Sequence, residues 1–338
     1  MKIINAHSEL IDRPNNQLKL VERIGRTCYK SEDLITDDSY IKFCNGLAKR
    51  KHYAMLEHAV FTFEVRNSLN NWLLLYLNNC QEQGYKYFVV DTITTTSTLV
   101  SANLRAIIET NNTALMNLFA EHYEYLQELL CNCSQYDVKL PKLPDCVKKD
   151  ITFFDTNAEL VDRYERQMND PKLFKEYMKK IFPRHMFCTA YFQCDRGVTH
   201  EFVRHRPCSF AQSSTRYCNY SKGKFGNEIT VIKPCFFSEE NNDTNYWYWL
   251  DACKHAEQTY MWLINNGAKP EEARSVLPTS VAAELWITAT LEEWQHIVNL
   301  RYLGTTGKPH PQMIEVMKPI AEQLQTKYPE TFSFTSVR

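Results

Sequence analysis

The chain is predicted to mix α-helices with β-strands, on three observations. Helical and strand periodicities alternate between residues 19 and 65 without an intervening linker. An apolar, strand-like run at Met186–Gln193 is followed directly by turn and helix-opening residues. The nine glycines include no Gly-x-Gly-x-x-Gly and no Gly-x-x-x-x-Gly-Lys-Ser/Thr, so neither a Rossmann nor a P-loop site is predicted. At 338 residues the chain can bury a large core, as one large domain or two ordinary ones.

Asp37 and Asp38 precede apolar positions at helical spacing, Tyr40, Cys44, Leu47 and Ala48, and predict a helix opening there. His52–Val65 predicts a strand, because Val60, Thr62 and Glu64 interleave with Phe61, Phe63 and Val65. Beyond residue 66 a stretch rich in Asn, Leu and Tyr reads as helical and leads to Thr94–Thr98 and then Asn103-Leu104-Arg105. Residues 134–172 are charged and weakly patterned, with Pro141, Pro144 and Pro171, and are expected to run over the surface. After the strand at 186–193, Asp195-Arg196-Gly197 turns the chain and Thr199 is expected to cap a short helix ending near Pro207. Pro270 suits a first helical turn, Glu271 and Glu272 its positive end, and Pro278 its stop. Thr290-Leu291-Glu292-Glu293 is a capping-box pattern opening another helix, with Leu291, Trp294, Ile297 and Val298 on one face. Arg301 continues that face, so its guanidinium points inward and needs a partner, because an unpaired buried charge is costly.

Composition restricts the partners. Hydrophobic residues make up 44% and charged residues 23%, with a formal net charge of −1. The surface as a whole offers no attraction for nucleic acid or anionic membrane, so any anion site must be local. No apolar run reaches membrane-spanning length, and Met1–Ser8 turns polar at once, unlike a secretory signal. The twelve cysteines, spread from Cys28 to Cys253 without a Cys-x-x-Cys pair, are expected as free thiols in a reducing cytoplasm.

The most informative stretch is Arg204-His205-Arg206, followed by Ser209, Gln212, Ser213, Ser214, Thr215 and Arg216-Tyr217. Guanidiniums present planar forks of donors matched to phosphate and carboxylate, and clustering them is unfavourable without an anion among them. A structural salt-bridge network is the bland alternative, but the surrounding hydroxyls and amides are what a nucleotide monophosphate and a pyrimidine edge require. His205 between two cations is expected as a neutral, hydrogen-bonding imidazole. No metal is expected there or at His52/His58, whose spacing of six fits packing better than ligation. Ser214 lacks the Gly-x-Ser-x-Gly elbow of a nucleophile, and Cys208 reads as a small residue in a turn.

These residues, taken together, resemble the flavin-dependent thymidylate synthases. Arg204-His205-Arg206, seven residues and then Ser214 is similar to that family's signature. It is accompanied in order by Tyr29-Lys30-Ser31 with His52 and Leu56–Phe63, by Asn103-Leu104-Arg105-Ala106, by Glu272–Pro278 and by Asn299-Leu300-Arg301. The resemblance covers most of residues 20–325. It implies one α+β domain with a central twisted antiparallel sheet flanked by helices, and a helical or loop insertion at about 110–180. It also implies a homotetramer whose active sites lie at subunit interfaces.

The implied reaction is methylation of dUMP to dTMP, with methylenetetrahydrofolate as carbon donor and NADPH-reduced FAD as hydride source. Carried over by motif position, Arg204, Ser214, Arg216 and Arg274 would bind dUMP, together with Glu201, Gln212, Ser213 and Thr215. Arg301 would be the catalytic residue, contacting the uracil and favouring its N3-ionised form. Arg204, His205 and Arg206 would also face FAD, with Ala54, Gln212, Thr290, Leu291, Glu292 and His296. Ala211, Gln212, Thr290 and Ala54 depart from residues that other members carry, which puts individual flavin contacts in question rather than the activity. Related flavin- and folate-dependent hydroxymethylation of the same pyrimidine carbon is one rival reading; a non-catalytic nucleotide- or RNA-binding relative is another.

Overall fold

A computed structural model describes residues 1–66, 71–82, 87–133, 148–216, 218–223, 226–240 and 243–334. Helices α1 (Gln17–Tyr29) and α2 (Ser39–Lys49) pack on each other, the second burying Tyr40, Cys44, Leu47 and Ala48 as its spacing predicted. Strands β1 (Lys2–Ile4) and β9 (Thr230–Ile232) form a short parallel pair. The two main sheets are antiparallel and four-stranded. One runs β2-β7-β10-β8 (His7–Ile11, Phe187–Asp195, Ala282–Thr290, Ser209–Gln212). The other runs β4-β5-β3-β6 (Phe88–Thr94, Ser97–Asn103, Val60–Arg66, Ile151–Phe154). The α+β class holds, with two antiparallel sheets in place of the single central one expected.

The strand expected over His52–Val65 begins only at Val60; Tyr53–His58 is a 3₁₀ helix. Every residue from Val60 to Val65 is buried, Glu64 included, because β3 lies between β5 and β6 with packing on both faces. The alternation read from the sequence therefore marks no solvent side. The surface excursion expected over 134–172 lies partly outside the described residues; of the rest, Ile151–Phe154 pairs with β3, and the helix Asn157–Gln167 buries Leu160 and Tyr164. That segment is sheet edge and core. The helix placed after Thr199 starts earlier: Asp195 caps Arg196–Phe202, its carboxylate accepting from the Val198 amide at 2.8 Å. The helix at Pro270 closes at Ala273, and a 3₁₀ turn, Arg274–Val276, carries the chain toward Pro278.

There are two main cores. Phe61, Phe63, Phe119 and Leu104 lie in one, against the sheet β4-β5-β3-β6. Phe192, Ile287, Trp294 and Met317 lie in the other, which also takes in Leu99 and Phe154 from that sheet. Polar bridges join the sheets where they meet. Thr62 donates to the His185 carbonyl at 2.9 Å, and the His58 Nδ1 lies 2.8 Å from the Thr288 hydroxyl. His185 is wholly buried, with Ser101 at 2.9 Å on Nδ1 and Asp91 at 3.0 Å on Nε2. A cavity opens beside this seam. Among the described residues, no helix is long and apolar enough to cross a membrane.

Candidate active site

The helix Arg196–Phe202 ends in a tight turn that carries the arginine–histidine–arginine segment. The His205 amide donates to the Phe202 carbonyl at 3.0 Å and the Cys208 amide to the His205 carbonyl at 3.3 Å, before Ser209 enters β8. This turn separates the three side chains: His205 is buried, whereas Arg204 and Arg206 are exposed. Cys208 is buried and its thiol is pushed up by burial, which leaves it inert as a nucleophile.

The helix Leu291–Arg301 forms the opposite wall. Thr290 caps it, accepting from the Glu293 amide at 3.2 Å. Leu291, Trp294, Ile297 and Val298 are buried in the core, and the Trp294 indole donates to the Cys188 carbonyl at 3.0 Å. With that face fixed, Glu293, His296 and Leu300, spaced three and four apart, turn toward the arginine–histidine–arginine turn together with Arg301.

Arg301 has the partner that its inward direction required. Its Nη1 donates to Glu201 Oε2 at 2.7 Å, its Nη2 to the Glu201 carbonyl at 3.0 Å, and its Nε to His205 Nε2 at 3.1 Å. A guanidinium only donates, so His205 Nε2 must be the accepting nitrogen and the ring proton sits on Nδ1, 3.3 Å from Glu293 Oε1. The imidazole is thus neutral and hydrogen-bonded at both ends. His205, Glu293 and His296 have ligand atoms within 4.8 Å of one another, a grouping that could hold a cation. The bond from Arg301 already takes the lone pair of His205 Nε2, and the adjacent guanidiniums repel a cation, so we read His205 and Glu293 as a hydrogen-bonded pair against which the His296 ring packs edge-on.

Two cavities meet at this turn. One of about 240 Å³ is lined by Arg204, His205, Arg206, Glu293, His296 and Arg301, among others. A larger one, about 510 Å³, shares Arg206 and Pro207 and adds Thr290, Glu292, Ser209, Thr288, Glu57, Tyr87 and Arg184. The guanidiniums of Arg204 and Arg206 have no hydrogen bond or ion pair with any described residue, and that of Arg274, near Glu271, has none either. Arg184 is clamped, its Nη1 2.6 and 2.7 Å from the two Asp91 oxygens. Burial pushes the Asp91 carboxyl up, but His185 and Arg184 more than offset this and hold it below its usual range.

The remaining candidates lie along and beyond β8. Gln212 donates to the Thr199 hydroxyl at 3.0 Å, which ties this group to the helix that carries Glu201. Ser213 exchanges bonds with the Glu284 backbone and lines a third cavity, of about 330 Å³, with Lys30, Tyr220 and Glu284. Lys30 pairs with Glu284, and burial lowers its pKa. The Ser214 hydroxyl accepts from the Arg216 amide at 3.3 Å, and Thr215 is buried. Arg216 bonds Glu271 at 2.8 Å and, with Lys269 and Arg274 nearby, holds that carboxyl below its usual range. Tyr217 lies outside the described residues.

Within one chain, then, Arg204, His205, Arg206, His296, Glu201 and Arg301 come together, with Thr290 and Glu292 beside them. Ser213, Ser214, Thr215, Arg216 and Arg274 form a second group. Ala54 lines a separate cavity with His52, Tyr53 and Arg105. Leu291 is wholly buried and its amide donates to the Met186 carbonyl at 2.8 Å, so its side chain faces core and not cavity. Sequence reasoning missed Glu293, Glu57, Tyr87 and Arg184. Glu293 was assigned to the capping box; its three-residue spacing from His296 was the signal that its side chain belongs to the site. Glu57 lies in the Leu56–Phe63 block but was not read as a site residue; Tyr87 and Arg184 carry no local signal, and Arg184 is held at the cavity by Asp91, 93 residues away in sequence.

A family model described as thymidylate synthase complementing protein matches residues 9–72 and 146–330, which together hold the arginine–histidine–arginine turn and the Arg301 helix. The chain belongs to that family. Curated relatives include flavin-dependent thymidylate synthases of Thermococcus onnurineus, 28% identical over 135 residues (40% of this chain, 54% of the relative), and of Pyrococcus furiosus, 27% over 143 residues (42% and 57%). That of Corynebacterium diphtheriae is 25% identical over 162 residues (44% and 61%). The chain therefore matches little more than half the length of these relatives. Family membership accounts for the two walls of the site; residues 73–145, including Tyr87 and β4–β5, lie outside the family match.

Proposed function

We propose that the chain is a flavin-dependent thymidylate synthase that converts dUMP to dTMP, with methylenetetrahydrofolate as carbon donor and NADPH as reductant. One observation carries this reading. The guanidinium of Arg301, at the end of the helix Leu291–Arg301, meets His205 of the arginine–histidine–arginine turn at 3.1 Å. Two segments far apart in sequence thereby face one cavity with cationic and hydrogen-bonding walls.

The residues present fit a bound flavin dinucleotide. Arg204 and Arg206 keep guanidiniums that are unpaired among the described residues and suit a pyrophosphate, and the larger cavity adds Thr290 and Glu292 as polar contacts. Arg204, His205, Arg206, Thr290, Glu292 and His296 would hold FAD, with Gln212 between the two ligands. Leu291 and Ala54 complete the expected flavin positions, although the Leu291 amide is already bonded to the Met186 carbonyl and Ala54 lines the separate cavity. When bound, the flavin supplies the hydride. The protein's own part is placement and charge. Arg204, Ser214, Arg216 and Arg274 would bind the nucleotide phosphate and uracil edge, with Glu201, Ser213 and Thr215 completing that group. Arg301 would polarise the uracil and stabilise negative charge at N3. No residue of the turn acts as a nucleophile.

The two groups of candidates sit apart within one chain, which is consistent with a homotetramer whose sites are completed across subunit interfaces. We also take the chain as one domain, with an insertion at about 110–180. The purified protein is expected to be yellow, with absorbance bleached by NADPH and perturbed by dUMP. No dTMP with saturating FAD, NADPH, methylenetetrahydrofolate and dUMP overturns the reading, and a product heavier by one oxygen identifies hydroxymethylation instead.

A further inference from the structure

We propose that Glu293 is a positioning residue of this site: through the Nδ1 proton of His205 it fixes the ring whose Nε2 receives Arg301, and so sets where that guanidinium points. This rests on the proposed function for its consequence but not for its geometry. The chain runs Glu293 Oε1, 3.3 Å to His205 Nδ1, then His205 Nε2, 3.1 Å to Arg301 Nε, with Glu201 holding the other end of Arg301. His205 is 5% exposed, so water cannot readily replace either partner of the ring.

The direction of each bond follows from proton count. Arg301 Nε carries a hydrogen at any accessible pH, so Nε2 of the ring must be bare. A ring with a bare Nε2 has its proton on Nδ1, and a carboxylate is the strongest acceptor available to that proton. Glu293 is the only acid paired with His205 among the described residues. It also blocks the alternative arrangement, because a bare Nδ1 would turn its lone pair on a carboxylate. The packing of the His296 ring, edge-on to His205 with centroids 5.6 Å apart, limits rotation from the remaining side. Glu293 is no ligand contact in this account. It acts through His205, much as the partner of a metal-bound or catalytic histidine selects its tautomer.

The substitutions are well behaved because the helix cap uses the backbone of Glu293 and not its side chain. Glu293→Gln keeps an accepting oxygen for the Nδ1 proton; Glu293→Ala removes it. Solid-state ¹⁵N NMR of the histidine-labelled full chain, with His205 assigned by its loss in His205→Asn, should show Nδ1 protonated and Nε2 bare. Glu293→Gln should keep that pattern, and Glu293→Ala should populate both tautomers. Direct calorimetric binding of dUMP should weaken about tenfold in Glu293→Ala, as expected for loss of one charge-assisted bond, and less than about threefold in Glu293→Gln. An Nε2-protonated ring in the wild type, or a Glu293→Ala variant that matches wild type in tautomer, overturns the proposal. If the wild type binds no dUMP, the synthase reading fails while the NMR result still decides the role of Glu293.

Discussion

Arg301 grips Glu201 twice, through the side-chain oxygen at 2.7 Å and the backbone carbonyl at 3.0 Å, and so fastens the end of one helix to the end of another. The pair is not deeply buried: the side chains are 22% and 38% exposed. At that exposure an ion pair contributes no more than about 1 kcal/mol to stability. The helix that carries Arg301 is held instead by its apolar face and its cap. The guanidinium can therefore serve a ligand without the fold depending on it.

Arg301→Ala is accordingly expected to separate activity from stability. Loss of a hydrogen-bonded charge contact to a ligand costs about 2–5 kcal/mol, roughly 30- to 4000-fold in kcat/KM for dUMP. The melting temperature should fall by less than about 3 °C. Arg301→Lys should recover little activity, because an ammonium cannot span Glu201 and His205 at once. Steady-state kinetics beside thermal melts test this, and wild-type turnover in Arg301→Ala would remove the residue from the mechanism.

Thr290→Ala tests the cap beneath the same helix. The hydroxyl accepts from the Glu293 amide at 3.2 Å, and losing such a cap costs about 1 kcal/mol. Urea unfolding should show a lower midpoint with an unchanged slope, and Thr290→Ser should recover most of the loss. An alanine variant as stable as wild type would mean that core packing alone sets this helix start.

Two buried histidines predict a loss of stability in acid. Burial lowers the His58 pKa to about 3 and lowers that of His185, although Asp91 opposes the second shift. An unfolded histidine titrates near pH ~6.5, so between that pH and the folded values the unfolded chain binds protons that the folded chain does not. Stability from these groups is complete above about pH 6.5 and falls as pH drops, by up to about 1.4 kcal/mol per unit for each proton. Urea midpoints from pH 7.5 to 4.5 should decline in wild type. His58→Gln should be weaker at pH 7.5 but show a shallower decline; parallel curves for the two proteins would sink the assignment.

How much of this was legible in the sequence varies by element. Local chemistry read well: the Asp38 helix start, the Thr290 cap, the buried stripe of α-helical spacing behind it, and the inward Arg301 with its need for a partner. Each depends on residues within one or two turns. The identity of that partner was not legible: Glu201 was expected at the nucleotide by its place near Arg204, but it lies 100 residues from Arg301 and nothing local pairs the two. The β3 strand misled for a related reason. A strand packed on both faces uses Thr62 and Glu64 as buried polar groups, bonded to His185 and near Arg163, so alternation of residue type no longer reports alternation of exposure. The cavity wall from Tyr87 and Arg184 is also long-range, since Arg184 is held beside β4 by Asp91, 93 residues away in sequence.

Gly304 closes the helix that carries Arg301, and its replacement should be costly on two counts. Its φ is +70°, in the left-handed region that L side chains rarely adopt. A Cβ there would also lie 2.8 Å from Pro309 Cδ and 2.9 Å from the Gly307 carbonyl oxygen, and neither a ring nor a backbone atom can swing away. The bonds that end the helix, Leu303 amide to Val298 carbonyl at 2.9 Å and Thr305 amide to Asn299 carbonyl at 3.0 Å, fix the backbone on both sides. Gly304→Ala is therefore expected to destabilise the protein by about 1–3 kcal/mol. The displacement should reach Arg301 three residues away and weaken dUMP binding along with stability. Gly267, also left-handed at φ +91° but with open space where a Cβ would go, is the control: Gly267→Ala incurs the backbone penalty alone and should leave dUMP binding unchanged. Equal losses of dUMP affinity in the two variants would show that Gly304 does not set the position of Arg301.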